Sequence, residues 1–531
     1  MRFGKDILFE DVSVKFTPGN RYGLIGANGS GKSTFMKILT GQLEQTQGEV
    51  FIGKDCVLGY LHQDHMVFDE CEILDTVYMG NKTLWDLHCE REELYSKDDL
   101  TDAENERCGD IEEEFGAAGG YEMEVDAIKL LAGLGFSEDM LYGKMSMLQG
   151  GFKLRVLLAQ VLFGKPDILL MDEPTNHLDM ESIEWLIEFL KRYEGTAIAI
   201  SHDRFFLNNV CTHTADLDFH EIRMFPGNYD DFTIANLEIK ELMEKQNKKM
   251  EKRIHELKAF ISRFSANASK AKQATSRQKE LKKIDLNDIQ PSSRVSPYLR
   301  FEPKARLGEK VIHVKGISKK YDDVTLFEDF SCEIGSKEKI AIIGKNGIGK
   351  TTLLKILAKQ LNPDAGSVIH GETVDVSIFP QEPGEMLDMN KIAIEWLGSF
   401  NDPAEYMSET ELRSFMGKML FGGDDVFKKV EVLSGGEKTR LILSQMMMKG
   451  GNVLFFDEPT NHLDLESIEA LNFAISLVKD TVIFVSHDHR LISTLATRII
   501  EVSEDKITDY TGTIEEFEAK KKQEKAKLKS Q

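Results

Sequence analysis

Two stretches of this sequence set a glycine-rich turn against a lysine and a hydroxyl: GANGSGKST at residues 26–34 and GKNGIGKTT at residues 344–352. The spacing is Gly-x4-Gly-Lys-Ser/Thr, in which Gly26, Gly29 and Gly31, and again Gly344, Gly347 and Gly349, let the backbone curl so that successive N–H groups face a phosphate. Asn28, Thr34, Asn346 and Thr352 fill out the two loops. Lys32 and Lys350 then bring a point charge to the β- and γ-phosphate oxygens, and Ser33 and Thr351 offer a hydroxyl to Mg²⁺. A second repeated pair, Asp172-Glu173-Pro174 and Asp457-Glu458-Pro459, supplies the rest of a hydrolytic site. Asp172 and Asp457 suit the Mg²⁺ shell, and Glu173 and Glu458 can polarise a water in line with the γ-phosphate. Alternatively, these acids would only cap the helix that follows.

Such groups need a parallel sheet to aim them. Residues 22–25 and 340–343 are apolar runs of strand length ahead of each loop, and residues 35–39 and 353–357 are helical runs behind it. Residues 168–171 and 453–456 read as buried strands ending at the Asp-Glu pairs, the carboxyl edge where α/β sheets hold ligands. The fold class expected is therefore α/β, occurring twice. The loops repeat at an offset of 318 and the Asp-Glu motifs at 285, so the first copy carries 33 extra residues. The surplus falls at residues 82–120, with 13 acidic against 4 basic residues. It reads as an inserted helical arm, either docking a partner or only a solvated excursion.

The domains expected are 1–232 and 311–515, joined by a linker over 233–310 and followed by a basic tail over 516–531. Met243, Gln246, Met250, Ile254, Leu257, Ile261 and Phe264 recur at helical spacing, and Ala271, Ala274, Gln278 and Leu281 continue the rhythm after a small polar break. This predicts an antiparallel helical hairpin. Residues 248–283 hold 12 Lys or Arg against 3 Glu, a strongly positive element in a chain of net charge -23. It is either a polyanion-binding element or a rigid basic spacer. The apolar residues 311–317 ahead of Tyr321 have no counterpart ahead of Phe3, so either the first domain lacks an edge strand or the sequence starts late. No apolar run is long enough to span a bilayer, and the six cysteines have no metal-ligand spacing, which together suggest a reducing cytoplasm.

The order of the remaining motifs resembles the ATP-binding-cassette superfamily. LSGGEKTR at residues 433–440 looks like its signature, the Asn-His-Leu-Asp runs ending at Asp179 and Asp464 look like its D-loop, and His202 and His487 match its switch histidine. Gln63 and Gln381 are similar to the glutamine that senses Mg²⁺ and water, and Phe3 and Tyr321 stand where that family stacks an aromatic on adenine. The resemblance implies that each signature completes the other domain's ATP site. Site one would join Lys32, Ser33, Glu173 and His202 to Ser434 and Gly436; site two would join Lys350, Thr351, Glu458 and His487 to Gln149 and Gly151. The first signature, Leu148-Gln149-Gly150-Gly151-Phe152-Lys153, lacks the phosphate-binding serine, so site two is expected to turn over more slowly.

Importer ATPases and DNA-repair ATPases share tandem cassettes. The basic linker instead resembles the soluble ABC-F group, and SRFSANASKAKQATSR at residues 262–277 its bacterial YbiT-like branch. That resemblance implies a monomer whose two domains close on ATP and Mg²⁺ and which enters the ribosomal E site. Its hairpin would reach P-site tRNA, with Lys252, Arg253, Arg263, Lys270, Lys272, Arg277 and Lys279 on RNA phosphates. Phe264 would either stack on a base or close the hairpin seam, and the acidic arm would meet a basic ribosomal protein.

Overall fold

The computed structural model describes residues 1–3, 6–61, 68–97, 99–148, 150–176, 178–264, 294–321, 324–402, 406–461, 463–503 and 506–529. The runs that end in acids form the centre of each domain. Val453–Asp457 is buried at every position, as a β-branched and aromatic strand covered on both faces must be. In chain order the strands of the first domain are β1 (Arg2–Phe3), β2 (Asp6–Ile7), β3 (Arg21–Ile25), β4 (Leu58–Tyr60), β5 (Ile168–Asp172), β6 (Thr196–Ile200), β7 (His213–Asp218) and β8 (Glu221–Pro226). The second domain has β9 (Lys310–Tyr321), β10 (Val324–Gly335), β11 (Lys339–Ile343), β12 (Ala365–His370), β13 (Val376–Phe379), β14 (Val453–Asp457), β15 (Thr481–Val485), β16 (Arg498–Val502) and β17 (Ile507–Thr511).

The two main sheets have one topology, β4-β5-β6-β3-β7-β8 and β13-β14-β15-β11-β16-β17, parallel except for the last strand of each. The phosphate-loop strands β3 and β11 each sit inside a sheet between two parallel neighbours. In each sheet that puts the glycine-rich loop, the Asp-Glu turn and the switch histidine at the carboxyl edge.

The domains differ in their second layer. β10, β9 and β12 make an antiparallel sheet in the second domain, whereas the described residues of the first have only the two-residue ladder of β1 and β2. Gln47-Gly48-Glu49-Val50-Phe51-Ile52 occupies the place of β12 at the 318 offset but forms no strand, and Phe51 is 87% exposed. Within residues 82–120, the helices Lys82–Tyr95 and Asp102–Ala117 lie antiparallel. Ile111 and Phe115 are buried between them, and Arg91–Glu112 (2.7 Å) and Arg107–Glu90 (2.8 Å) clip them together.

The linker expected over residues 233–310, the stretch that belongs to neither repeat, has its ends packed into the two domains. One helix runs from Tyr229 to Phe264, so the first domain passes into the linker without a break at residue 233. Tyr229 and Phe232 are in the first domain's core, which fixes the helix's root. Before residue 310, Leu299 and Phe301 already pack in the second domain's helical core and Leu307 in its sheet core, so this stretch belongs to that domain. The returning half of the expected hairpin, including Lys270, Lys272, Arg277 and Lys279, lies outside the described residues, and of Arg253 and Arg263 only the helical backbone is described. The tail is a helix, Ile514–Lys529, whose Ile514 and Phe517 are core residues.

The two domains face each other head to tail. Leu465, which follows Asp464, is buried in the core of the first domain, and its counterpart Met180 packs against the core of the second. Around this plug, Arg204 pairs with Glu469 at 2.9 Å, and Phe205 stacks on His489 with centroids 4.7 Å apart.

Candidate ATP sites

Each phosphate loop is held by its own lysine. Lys32 Nζ donates to the carbonyls of Gly26 (2.7 Å) and Ala27 (3.0 Å), and Lys350 Nζ to those of Gly344 (2.9 Å) and Lys345 (2.8 Å) and to Asn346 Oδ1 (3.2 Å). Gly31 and Gly349 sit at φ of 105° and 106°, where a side chain would be strained and would press on Leu8 or Leu326. The helices Lys32–Leu39 and Lys350–Leu357 start directly behind, with their free N–H groups and positive dipole ends toward the loop.

The acids after β5 and β14 are buried and strained. Glu173 and Glu458 have φ of 52° and 49°, the left-handed region that a glutamate enters only when its surroundings enforce it. Here the enforcement is a backbone bond to the neighbouring strand, from Glu173 N–H to Ile200 O at 2.8 Å and from Glu458 N–H to Val485 O at 2.9 Å. Each carboxylate then accepts the backbone N–H of its switch histidine, at 3.2 Å from His202 and 3.3 Å from His487. The ring Nε2 atoms lie 3.4 and 3.3 Å from the other carboxylate oxygen.

Burial sets the protonation of these groups. Desolvation, with Asp172 or Asp457 alongside, pushes Glu173 up to about 8 and Glu458 up to about 7. The histidines move the other way, His202 down to about 3 and His487 well below its usual value, again chiefly by desolvation. Both rings are therefore neutral at ordinary pH, and His487 Nε2 can donate to Asn346 Oδ1 at 2.8 Å. Lys32 and Lys350 are lowered by burial, against the pull of Glu173 and Glu458.

An oxygen-rich corner lies beside each loop. Thr351 Oγ1 is 3.2 Å from Asp457 Oδ1 and 3.4 Å from Gln381 Oε1, while Asp457 Oδ2 is buried with no hydrogen-bond partner among the described residues. Hydroxyl, amide and carboxylate oxygens with one buried oxygen unsatisfied fit Mg²⁺, a hard cation that shares its shell with phosphates. Ser33 and Asp172 are hydrogen-bonded in the same way in the first domain.

The opposite domain closes each site. A cavity of about 960 Å³ is lined by Asn28, Gly29, Gly31, Lys32, Ser33, Thr34, Asp172, Glu173 and His202 together with Ser434 and Gly436. A second, of about 820 Å³, joins Asn346, Gly347, Gly349, Lys350, Thr351, Thr352, Gln381, Glu458 and His487 to Gly150 and Gly151. Asp179 also crosses, accepting the Asn346 N–H at 3.5 Å. The signature helices begin differently. Ser434 and Glu437 form a reciprocal capping box ahead of Gly435–Lys449, with the Glu437 N–H 3.3 Å from Ser434 Oγ. In the first signature Phe152 stands where Glu437 does, and packs on Phe136 and under the Arg155 guanidinium instead.

Not every expected residue joins these cavities. Tyr321 is 48% exposed, with the Lys319 ammonium 5.3 Å from its ring, and lines neither. Leu8 and Leu326, which sequence reasoning passed over, are the side chains against Gly31 and Gly349; their shared position at the 318 offset was the available signal. Gln63 and Gln149 lie outside the described residues, and Phe3 is described only as backbone in β1.

Two phosphate-binding sheets, each completed by the other's signature, define an ATP-binding-cassette ATPase. A family model described as ABC transporter matches residues 9–176 and 327–461, and another of the same description matches 215–301. The chain is 46% identical over 517 residues to the probable ATP-binding protein YbiT of Escherichia coli O157:H7, covering 97% of each. It is 34% identical over 529 residues to the energy-dependent translational throttle protein EttA of Haemophilus influenzae, covering 97% of this chain and 93% of that one. Among solved structures, an archaeal ribosome recycling factor in complex with a ribosomal stalk protein matches with TM-score 0.57 and 19% identity, over 92% of this chain and 84% of that one, a likeness of fold. The chain belongs to the ABC-F family of ATP-binding-cassette proteins, and its activity is hydrolysis of ATP to ADP and phosphate.

Proposed function

We propose that this ATPase works on the ribosome: its closed, ATP-bound form occupies the E site and its basic linker acts on P-site tRNA near the peptidyl-transferase centre. The observation that carries this reading is collinearity with the throttle protein over nearly the whole of both chains, linker included. The Tyr229–Phe264 helix supports it, since a rigid rod rooted in the first domain and bearing exposed Lys252 suits a phosphate backbone. Arg253, Arg263, Lys270, Lys272, Arg277 and Lys279 are proposed to continue that track. Among the described residues no helix is long and apolar enough to cross a membrane.

In the proposed cycle ATP lies between a phosphate loop and the opposite signature, so that closure needs the nucleotide. Lys32 and Lys350 would turn from their own carbonyls to the β- and γ-phosphates. Magnesium, when bound, neutralises the phosphate charge, held by Ser33 and Asp172 or by Thr351, Gln381 and Asp457. Glu173 and Glu458, poised near neutrality, would accept a hydrogen bond from the attacking water, and the neutral His202 and His487 would donate to the γ-phosphate. Loss of the γ-phosphate removes the contact to the signature and releases the pair. Gln149 in place of serine makes site two the slower one.

The test is sedimentation of the Glu173→Gln, Glu458→Gln double variant with ribosomes and ATP. The variant is expected to co-sediment with ribosomes and to slow translation. Charge reversal at Lys270, Lys272 and Arg277 is expected to abolish that binding and leave basal ATPase intact. A double variant that stays free of ribosomes at low salt would end the ribosomal reading.

A further inference from the structure

The linker returns to the second domain through Arg294, whose side chain is 8% exposed in the seam between the domains. Its guanidinium pairs with Asp216 on β7 of the first domain and lies 3.6 Å from Glu466 of the second, two residues after Asp464. The Phe232 ring, at the root of the linker helix, stacks beneath it at 5.1 Å. One side chain thus touches both domains and both ends of the linker. Glu466 in turn belongs to the negative field acting on Lys32 of the phosphate loop.

The other half of the molecule has the same socket without the arginine. Asp216, Phe232 and Glu466 correspond at the 285 offset to Glu501, Phe517 and Glu181. Those three line a cavity of about 380 Å³, in which Glu501 pairs with Lys521 from its own domain at 2.5 Å. Nothing there bridges to Glu181 among the described residues. Among the described residues this charged latch is therefore present on one side only.

We infer that Arg294 is a positioning residue that couples the linker to closure of site one. When the domains part, Glu466 leaves Arg294, and the guanidinium loses a carboxylate while Asp216 stays with it. When they close without Arg294, Asp216 and Glu466 face each other as buried like charges. Either way closure and the linker's seat are one equilibrium, so whatever grips the linker tightens site one, and ATP at site one steadies the linker, by the same factor. The inference rests on closure of the two domains and does not depend on the ribosomal reading.

The experiment uses the full chain in the double glutamine background, titrated with ATP. Closure is read by a crosslink across the seam, and linker order by hydrogen exchange along residues 229–264. Arg294→Ala is expected to raise the ATP concentration for half-closure roughly tenfold, within the range of about 5- to 150-fold for coupled sites. It should also uncouple the two readouts, so that residues 229–264 no longer gain protection with ATP. Glu466→Gln, which keeps the shape and removes only the bridge between domains, should reproduce both effects, and adding Arg294→Ala to it should change little further. Arg294→Lys should recover part of the coupling. Glu181→Gln, on the unlatched side, should do nothing. Half-closure at the native ATP concentration in both Arg294→Ala and Glu466→Gln would overturn the inference, as would an equal effect from Glu181→Gln.

Discussion

Ser434→Ala separates the two sites more sharply than loss of either glutamate, because Ser434 has two jobs of different reach. As the N-cap of Gly435–Lys449 it accepts the Glu437 N–H, a contact whose loss costs about 0.5–2 kcal/mol of stability. As a lining residue of the cavity that holds Lys32, Glu173 and His202, it is proposed to turn its hydroxyl, which here donates to Glu437 Oε2 at 2.7 Å, to the γ-phosphate at site one. A hydrogen bond to a charged group is worth about 1.5–3 kcal/mol, or roughly ten- to a hundredfold in rate. The cap term should lower the melting temperature in every background. The phosphate term should appear only where site one is the working site. In Glu458→Gln, which leaves site one, Ser434→Ala is expected to cut turnover by that factor; in Glu173→Gln, which leaves site two, turnover should hold. Ser434→Asn, which can still cap the helix, should restore melting without restoring turnover. Steady-state phosphate release reports all four variants. Equal losses in the two backgrounds would refute the assignment of Ser434 to site one.

Three further outcomes follow from the same geometry. Site two, measured in Glu173→Gln, should turn over more slowly than site one in Glu458→Gln; the reverse order in phosphate release would mean that Gln149 is no handicap. Leu465→Ala empties a socket in the other domain, and at about 2–5 kcal/mol for a buried leucine it should raise the ATP needed for closure seen by small-angle scattering while each domain still folds. The raised carboxyls give a pH signature. Glu173 and Glu458 favour their protonated forms, so their contribution to the nucleotide-free folded state is full below about pH 4.5 and is lost as pH rises through about 7 to 8. Glutamine cannot ionise, so the double variant should gain thermal stability over the native protein as pH rises, and a gap that ignores pH in calorimetry would show these acids to be ordinary.

Much of the site could be read from residue types alone. The offsets of 318 and 285 put Lys32 with Lys350 and Glu173 with Glu458 before any sheet was known, because loop, strand and acid spacing is local chemistry. The fold class followed from apolar runs too short for helices and too continuous for surface strands. What escaped was set by contacts between distant segments. Helical periodicity in residues 243–264 could not say that the helix starts at Tyr229, since its first turn is ordered by the first domain's core. Leu299 and Phe301 lie in a stretch without strand or helix, so only packing reveals whose they are. Arg294 sits among serines and a valine with no motif around it, and its meaning comes from Asp216 and Glu466, far off along the chain.

Met180 and Leu465 set a limit on how the machine can move. Each is a peg on the segment that follows one domain's Asp-Glu strand, and each is seated in the neighbour's body rather than its own. A hinge that swung open over one nucleotide while the other stayed clamped would have to draw one peg out past a wall still pressed against the second. Two crossed pegs behave like a mortised corner, which comes apart square or not at all, so departure of the first phosphate should slacken both nucleotides together.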